Sequence, residues 1–301
     1  MSVTLECNVC RSLDGDFIKK GVYGNPNQDI YKCRGCEHVY IAPFLDDSEE
    51  AKFYLDQYSA FLHARGDAKS ATPQEHFDGN KKEGDRRYEY SKDFLDKNMS
   101  VLEIGSASAF FLARIKPFVK DVTGIEQNVV HKEFANALDI PTFNGFENIE
   151  DKKFDIIFLY YLLEHIKYPV DFVNSITKRL KGDSSKIILE VPNVNEALVS
   201  LYKSSAYNEF VWQRAHCSYF SVKVLENMFS TQGFKTTFVP VQRYDLSNHI
   251  YWLGQGKGGG MGKYSHVFSD ELNAQYRKDL NNHWLSDSIL LIAELGKDNK
   301  W

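Results

Sequence analysis

Two glutamates, 23 positions apart, lie in short apolar stretches that are typical of buried strands. Glu103 lies within V-L-E-I-G at residues 101–105, a pattern typical of a buried parallel strand that ends in a turn at Gly105. Glu126 ends a second short strand, V-T-G-I-E. A carboxylate at that point can accept hydrogen bonds from two ribose hydroxyls, as in doubly wound nucleotide-binding folds. The two stretches therefore predict that a nucleoside-bearing cofactor lies across the first two strands.

The turn after Gly105 is built from small residues, and a helical pattern begins at Phe110. The N-terminus of that helix is predicted to face the turn. A dinucleotide-binding fold needs G-x-G-x-x-G, because its backbone must approach a pyrophosphate closely. Here Ala107 takes the place of the second glycine and Phe110 that of the third. The sequence therefore favours a nucleoside cofactor that has no pyrophosphate.

Four of the five cysteines form two C-x-x-C pairs near the N-terminus: Cys7, Cys10, Cys33 and Cys36. Two such knuckles suit a tetrahedral zinc ion, and four protein ligands leave no open position for chemistry. A structural zinc ribbon is therefore predicted. Two disulfides or a redox pair are the alternatives. Disulfides conflict with a cytoplasmic address.

Composition limits the partners and the location of the protein. The chain has 301 residues, 26% of them charged, and a net charge of −5 with no long basic run. Such a chain has no obvious electrostatic footprint for a nucleic-acid backbone. Neither a signal peptide nor an apolar run long enough to span a bilayer is recognisable. We therefore expect a cytoplasmic protein that binds neither membrane nor nucleic acid. Its oligomeric state is not predicted.

Three motifs together resemble class I S-adenosylmethionine-dependent methyltransferases. Glu103 and Gly105 match the start of the E/D-x-G-x-G-x-G motif of that family, although alanines replace its later glycines. F-D-I-I at residues 154–157, followed by L-E-H-I at 163–166, resembles the fourth-strand motif. A histidine and a phenylalanine, His216 and Phe220, resemble a third. The cysteine knuckles are similar to the N-terminal module of bacterial methyltransferases that act on sugars in surface-polysaccharide and natural-product pathways.

This resemblance implies the fold and the domains. We expect an α/β protein with a doubly wound, seven-stranded sheet, mostly parallel, whose last strand, residues 288–295, is antiparallel. The predicted units are a zinc ribbon at 1–45, a helical linker or lid at 46–98 and a Rossmann-like domain at 99–301. Insertions at 195–215 and 245–287 are predicted to serve the substrate, because a hairpin connection should be much shorter than the second of them.

The resemblance and the residue types together give the predicted site. The expected cofactor-binding residues are Glu103, Gly105, Ser106, Ala107, Glu126, Gln127, Phe146, Glu147 and Tyr160, with Phe146 stacking on adenine. An oxygen acceptor generally needs a general base, and unperturbed histidine titrates near neutrality. The candidates are His165, His216 and His249. Buried imidazoles that satisfy neighbouring groups are the alternative interpretation of all three.

The predicted activity is O-methylation of a sugar or nucleotide-linked sugar with S-adenosylmethionine. The cofactor supplies the leaving group, so the protein mainly aligns the acceptor and removes its proton. Two other functions remain open. One is an RNA methyltransferase whose ribbon grips RNA, and the other is a non-catalytic ribbon protein that binds a partner.

Overall fold

The computed structural model describes residues 5–53, 57–65 and 72–296. An antiparallel ribbon begins the fold, with strands β1 (Gly15–Lys19), β2 (Asp29–Cys33) and β3 (Val39–Ala42). Both cysteine knuckles lie beside these strands, since Cys33 ends β2. A small apolar cluster that includes Cys7, Tyr40 and Ala42 fills its interior.

Four helices follow the ribbon: α1 (Asp47–Lys52), α2 (Tyr58–Arg65), α3 (Pro73–Gly79) and α4 (Lys81–Ser91). The start of α3 is set by a capping box, in which Thr72 accepts from the N–H of Glu75 and the Glu75 carboxylate accepts from the N–H of Thr72. Pro73 occupies the first helical position, where its missing N–H costs nothing.

The rest of the chain alternates strands and helices. In order these are β4 (Ser100–Ile104), α5 (Phe110–Ile115), β5 (Asp121–Ile125), α6 (Val129–Ala137), β6 (Thr142–Phe143), β7 (Ile156–Tyr160), α7 (Pro169–Thr177), β8 (Lys186–Pro192), α8 (Ala197–Ser200), α9 (Ser205–Val211), β9 (Ser218–Tyr219), α10 (Val222–Ser230), β10 (Phe234–Val241), α11 (Leu246–Gln255), α12 (Asp270–Asn282) and β11 (Ser288–Leu295).

Seven of these strands form one sheet in the order β10-β11-β8-β7-β4-β5-β6. Neighbouring pairs from β8 to β6 are parallel, and β11 is antiparallel to both β8 and β10. The predicted seven-stranded, mostly parallel α/β sheet is confirmed, including the antiparallel last strand. In this order the carboxyl ends of β4, β5 and β7 meet at one edge, which is where ligands bind in such folds.

Apolar residues on both faces of the sheet make the core. Leu102, Ile157, Leu159 and Leu189 face one layer, which is covered by α7 and α10. Val101, Ile156, Phe158 and Ile188 face the other, which is covered by α5. Full burial of each such side chain contributes about 1.5–3 kcal/mol. Burial on both faces explains why these strands are continuous apolar runs.

The ribbon sheet has a fourth strand, which comes from a later part of the chain. β9 pairs antiparallel with β3, placing Tyr219 opposite Val39 and Ser218 opposite Tyr40. The ribbon sheet therefore has four strands in the order β1-β2-β3-β9, and the last is supplied by the segment that follows α9.

Two of the predicted segments contain helices. In the range 46–98, predicted as a helical linker or lid, the described residues form α1 to α4, and residues 54–56 and 66–71 lie outside the described part of the chain. The insertion at 245–287 holds α11 and α12. None of the helices in the described ranges has the length and apolar character needed to cross a membrane.

Candidate functional site

The turn after β4 adopts the backbone that its family motif normally assigns to glycines. Gly105 has a φ of +78°, and Ala107 and Ala109 have φ values of +47° and +59°. Ala107 and Ala109 thus hold left-handed conformations, which cost an L-residue roughly 1–2 kcal/mol. The alanines keep the shape of the turn at the cost of strain.

Ala107→Gly should raise the free energy of unfolding by about 0.5–1 kcal/mol, because glycine reaches positive φ without a steric penalty. Ala107 is half-buried, so little packing is lost. The matched control is Ala113→Gly inside α5, which should lower the same quantity by about 1 kcal/mol. Urea unfolding of both variants checks the prediction. Equal destabilisation by the two changes would contradict it.

Glu126 joins the tips of β4 and β5. Its Oε2 accepts from the N–H of Ala107 at 2.8 Å, and its Oε1 accepts from the N–H of Asn128 at 2.7 Å. Each carboxylate oxygen retains a further lone pair for another donor. Gln127, which follows, is exposed, and its carbonyl accepts from Asn144. The structure thus brings Glu126 against the turn that contains Ala107.

Glu103 lies beneath this turn in a buried cluster with an arginine. The Glu103 side chain is 1% exposed, and burial raises its pKa to about 8. Arg87 of α4 acts in the opposite direction through a contact of 3.5 Å between its Nη1 and Oε1 of Glu103, which does not offset the desolvation. The Arg87 guanidinium also lies 4.3 Å from the ring centre of Tyr160. Sequence reasoning missed Arg87, because nothing in the polar pattern of α4 distinguishes it from Arg86.

Three polar atoms at this edge are buried and have no hydrogen-bond partner among the described residues. They are Ser106 Oγ, Glu103 Oε2 and Tyr160 Oη. Buried polar groups are nearly always paired, so unpaired ones need an explanation. The three atoms lie together at the ends of β4 and β7, and a polar ligand bound there would supply their missing hydrogen-bond partners.

α3 covers the outer side of the turn. His76 Nδ1 lies 2.7 Å from Ser108 Oγ, and its ring lies edge-to-face with that of His131, 5.2 Å apart. Burial lowers the pKa of His76 to about 4. The predicted lid segment thus contributes a helix that packs directly on the turn.

Phe146 and Glu147 lie beyond β6, in a short 3₁₀ turn. Phe146 is half-buried against the core, and the Arg179 guanidinium lies 4.4 Å from its ring centre. Glu147 is exposed, and its carboxylate folds back over Gly145, where a Cβ would lie 2.3 Å from Oε2. Asn144, in the same loop, donates to the carbonyl of Glu126 at 3.1 Å, so the loop borders the edge formed by β4 and β5.

The three predicted histidines do not form one cluster. The rings of His165 and His216 are edge-to-face with centres 4.9 Å apart. His249 lies on α11, where its Nδ1 is 2.5 Å from Tyr276 Oη. Burial lowers the pKa of His165 and His249 to about 4 and that of His216 well below its ordinary value. With pKa values lowered in this way, all three are uncharged imidazoles at neutral pH.

A buried charged network at the ends of β7, β8 and β11 was not predicted. Glu190 is fully buried and accepts from Tyr161 Oη at 2.6 Å and from Arg86 Nη2 at 2.8 Å. Tyr161 Oη also lies 2.8 Å from Ser288 Oγ, next to Asp287, which pairs with a further arginine, Arg243. The one signal in the sequence was a lone acid inside the apolar strand K-I-I-L-E-V-P.

The four N-terminal cysteines come together as a single cluster. Their sulfurs all lie within 4.8 Å of one another, with 3.7 Å from Cys7 to Cys36 and 3.4 Å from Cys10 to Cys33. A disulfide would need about 2.05 Å. Zinc–sulfur bonds of about 2.3 Å in a tetrahedron put sulfurs about 3.8 Å apart. The spacing fits a shared metal ion and is inconsistent with two disulfides.

Comparison with known proteins agrees with this geometry. Residues 80–238, just over half of the chain, match the family described as a methyltransferase domain. No curated protein has a significantly similar sequence. A chain from the complex between the Haloferax volcanii Trm112 methyltransferase activator and a methyltransferase is 11% identical with a TM-score of 0.51, over 75% of this chain and 95% of that one.

Two other solved structures are similar over most of their length. An S-adenosylmethionine-dependent methyltransferase from Archaeoglobus fulgidus is 16% identical with a TM-score of 0.49, over 79% of this chain and all of that one. The plantazolicin methyltransferase BpumL, solved with S-adenosylhomocysteine, is 14% identical with a TM-score of 0.48, over 82% and 93% of the two chains.

The family match over residues 80–238, together with the sheet order, places the chain in the class of S-adenosylmethionine-dependent methyltransferases. The chain belongs to the methyltransferase-domain family, and the predicted enzyme class is confirmed.

Proposed function

We propose that the protein methylates a hydroxyl oxygen of a sugar or nucleotide-linked sugar, in surface-polysaccharide or natural-product biosynthesis. The observation that carries the cofactor half of this proposal is the position of Glu126 across the tips of β4 and β5. The acceptor half rests on the resemblance of the cysteine module to that of sugar methyltransferases. It is also supported by the phenols and carboxylates beside the sheet edge, which suit hydroxyl groups.

S-Adenosylmethionine fits the residues present, and bound there it would supply an activated methyl group. Glu126 would hold its ribose hydroxyls, and Glu103, Ser106 and Tyr160 offer buried polar atoms that the described chain leaves unpaired. The remaining predicted contacts are Gly105, Ala107, Gln127, Phe146 and Glu147. Phe146 would stack on adenine. Arg87, beside Glu103 and Tyr160, joins the set as a cation able to pair with a carboxylate.

The acceptor proton needs a base that is uncharged at neutral pH. His165, His216 and His249 all meet that condition, because burial lowers the pKa of each. His165 and His216 lie just beyond the carboxyl end of β7, and His249 lies among tyrosines on α11. A neutral imidazole accepts a proton, although a low pKa makes it a weak base. We assign the role to this group of three.

Zinc at Cys7, Cys10, Cys33 and Cys36 is the second part of the proposal. Four sulfur ligands leave no open position, so the ion has a structural role. Free thiols at this spacing suit the reducing cytoplasm, where we place the enzyme.

Glu126→Ala should weaken the binding of S-adenosylmethionine by about 1–3 kcal/mol, roughly 5- to 150-fold, through the loss of charge-assisted hydrogen bonds. Titration calorimetry measures the affinity, and the melting temperature without ligand shows whether the turn after β4 has been disturbed. Glu133→Ala, an exposed acid on α6, is the matched control. Unchanged affinity in Glu126→Ala would remove this residue from the site.

The acceptor is tested with labelled S-adenosylmethionine and a panel of nucleotide-linked sugars. Transfer of label to a sugar oxygen, located by nuclear magnetic resonance of the product, is the expected result. Transfer to RNA with steeply salt-dependent binding would instead support an RNA methyltransferase.

A further inference from the structure

A second group of metal-ligand side chains lies away from the cysteines. Glu164 and His165 follow β7 in a 3₁₀ turn at Leu163–His165, and His216 lies in the segment before β9. One carboxylate oxygen of Glu164 and one ring nitrogen of each histidine all lie within 4.8 Å of one another. Movements of about 1 Å would bring the three atoms around a single ion with bonds of about 2.0–2.2 Å.

Backbone hydrogen bonds hold the two segments of this group together. The N–H of Cys217 donates to the carbonyl of Glu164 at 2.7 Å, and His165 Nδ1 donates to the carbonyl of Ala215 at 2.8 Å. These two bonds hold the turn after β7 against the segment that contains His216. A proton on Nδ1 also fixes the tautomer of His165 in which Nε2 has the lone pair. Metal-binding histidines almost always donate their other ring N–H in this way.

Glu164 supplies an independent sign of an ion. Its side chain is 1% exposed, and its Oε2 has no hydrogen-bond partner among the described residues. Leaving a buried polar atom unpaired costs about 1–3 kcal/mol, and more for a charged group. A cation bound by the carboxylate would offset that cost.

We propose that Glu164, His165 and His216 bind a divalent transition-metal ion, with zinc as the ion that these donors suit. Two imidazoles and one carboxylate form the ligand set of zinc sites that keep a position open. The site lies at the carboxyl end of β7, the edge of the sheet at which ligands bind. There the open position would take an oxygen of the acceptor. Because His165 and His216 would then be ligands, His249 is the one of the three proposed bases whose lone pair the ion would not occupy. The role of the ion in catalysis rests on the proposed methyl transfer, whereas the binding of the ion does not.

Cobalt titration of the metal-stripped full chain tests the site. Co²⁺ bound by four thiolates gives an intense sulfur-to-metal charge-transfer band, and Co²⁺ bound by nitrogen and oxygen does not. We expect two equivalents per chain, one with that band and one without it. Glu164→Gln and His216→Gln should each lose the second equivalent and keep the first. Removal of an outer-shell partner costs ~10–100-fold in metal affinity, so loss of a direct ligand should weaken binding at least about 100-fold.

The charge-transfer band of the first equivalent, together with an unchanged circular dichroism spectrum, shows that each variant is folded. The matched control is His283→Gln, an exposed histidine outside the group, which should retain both equivalents. A single equivalent in the unmodified protein would overturn the proposal, as would two equivalents of unchanged affinity in both folded variants. Because the readout is stoichiometry, failure of the sugar-methylation proposal would leave it unaffected.

Discussion

Replacing Cys33 with serine should release the ion held by the four cysteines and unfold the N-terminal ribbon. Cys33 is fully buried at the end of β2, and its sulfur lies 3.4 Å from that of Cys10. Structural zinc contributes roughly 10–16 kcal/mol to the folding of small zinc domains. Segments of about 40 residues seldom fold without such a staple. If loss of one thiolate releases the ion, the ribbon loses more folding free energy than its own packing supplies, and it unfolds.

Zinc content by elemental analysis and limited proteolysis of residues 5–45 measure this effect. Cys217→Ala is the control. Cys217 lies outside the cysteine cluster, so its loss should leave the zinc content of the protein unchanged. If the ribbon of the Cys33→Ser protein resisted the protease, the ribbon would fold without a metal, which would contradict the prediction.

Glu103→Gln should stabilise the protein at pH 8 by about 1–4 kcal/mol and have little effect near pH 4. The folded-state pKa of Glu103, raised by burial to about 8, lies above the value of about 4.3 expected in the unfolded chain. Between these values the folded state binds more protons than the unfolded state. The free energy of unfolding thus falls as pH rises, by about 1.4 kcal/mol per unit for one group. Glutamine does not titrate, so the variant avoids the part of this fall in the free energy of unfolding that Glu103 causes.

Urea unfolding without cofactor at pH 5, 6.5 and 8 tests the sign and the size of the effect. Burial raises the pKa of Glu164 and Glu196 to about 8 as well. The Glu103→Gln variant should therefore still lose stability as pH rises, but less steeply than the unmodified protein. The same substitution at Glu133 controls for the loss of one negative charge. If the stabilisation by Glu103→Gln became smaller as pH rises, the prediction would be contradicted, and Arg87 would be keeping the Glu103 carboxylate ionised in the folded state.

The central sheet was predictable because its strands are apolar on both faces and are separated by regular helices. The start of α4 at Lys81 could not be predicted from the sequence, for a physical reason. The helix buries Gly84, Arg87 and Ser91 rather than a stripe of apolar residues, so no hydrophobic period marks its start. A Cβ at Gly84 would lie 3.3 Å from the carbonyl of Phe110, which shows how closely α4 approaches α5.

Within the candidate site, the positions of Glu103 and Glu126 follow from local pattern, because each lies in or at the end of an apolar run. Glu190 and Arg86 were missed because their pairing joins residues 104 positions apart, and no local period records such a contact. The sequence shows that alanines follow Gly105, but the strain in their backbone appears only in three dimensions.

The shared strand β9 joins the cysteine ribbon to the segment that contains His216. Asn8, inside the first knuckle, donates to Ser218 Oγ at 2.8 Å and to the carbonyl of Lys167 at 3.0 Å. These two residues lie two positions from His216 and His165. A movement of the cysteine cluster would therefore reach His165 and His216 through the two hydrogen bonds of Asn8. We therefore expect oxidants that attack the cysteines to lower the proposed methyl transfer without acting on the turn after β4.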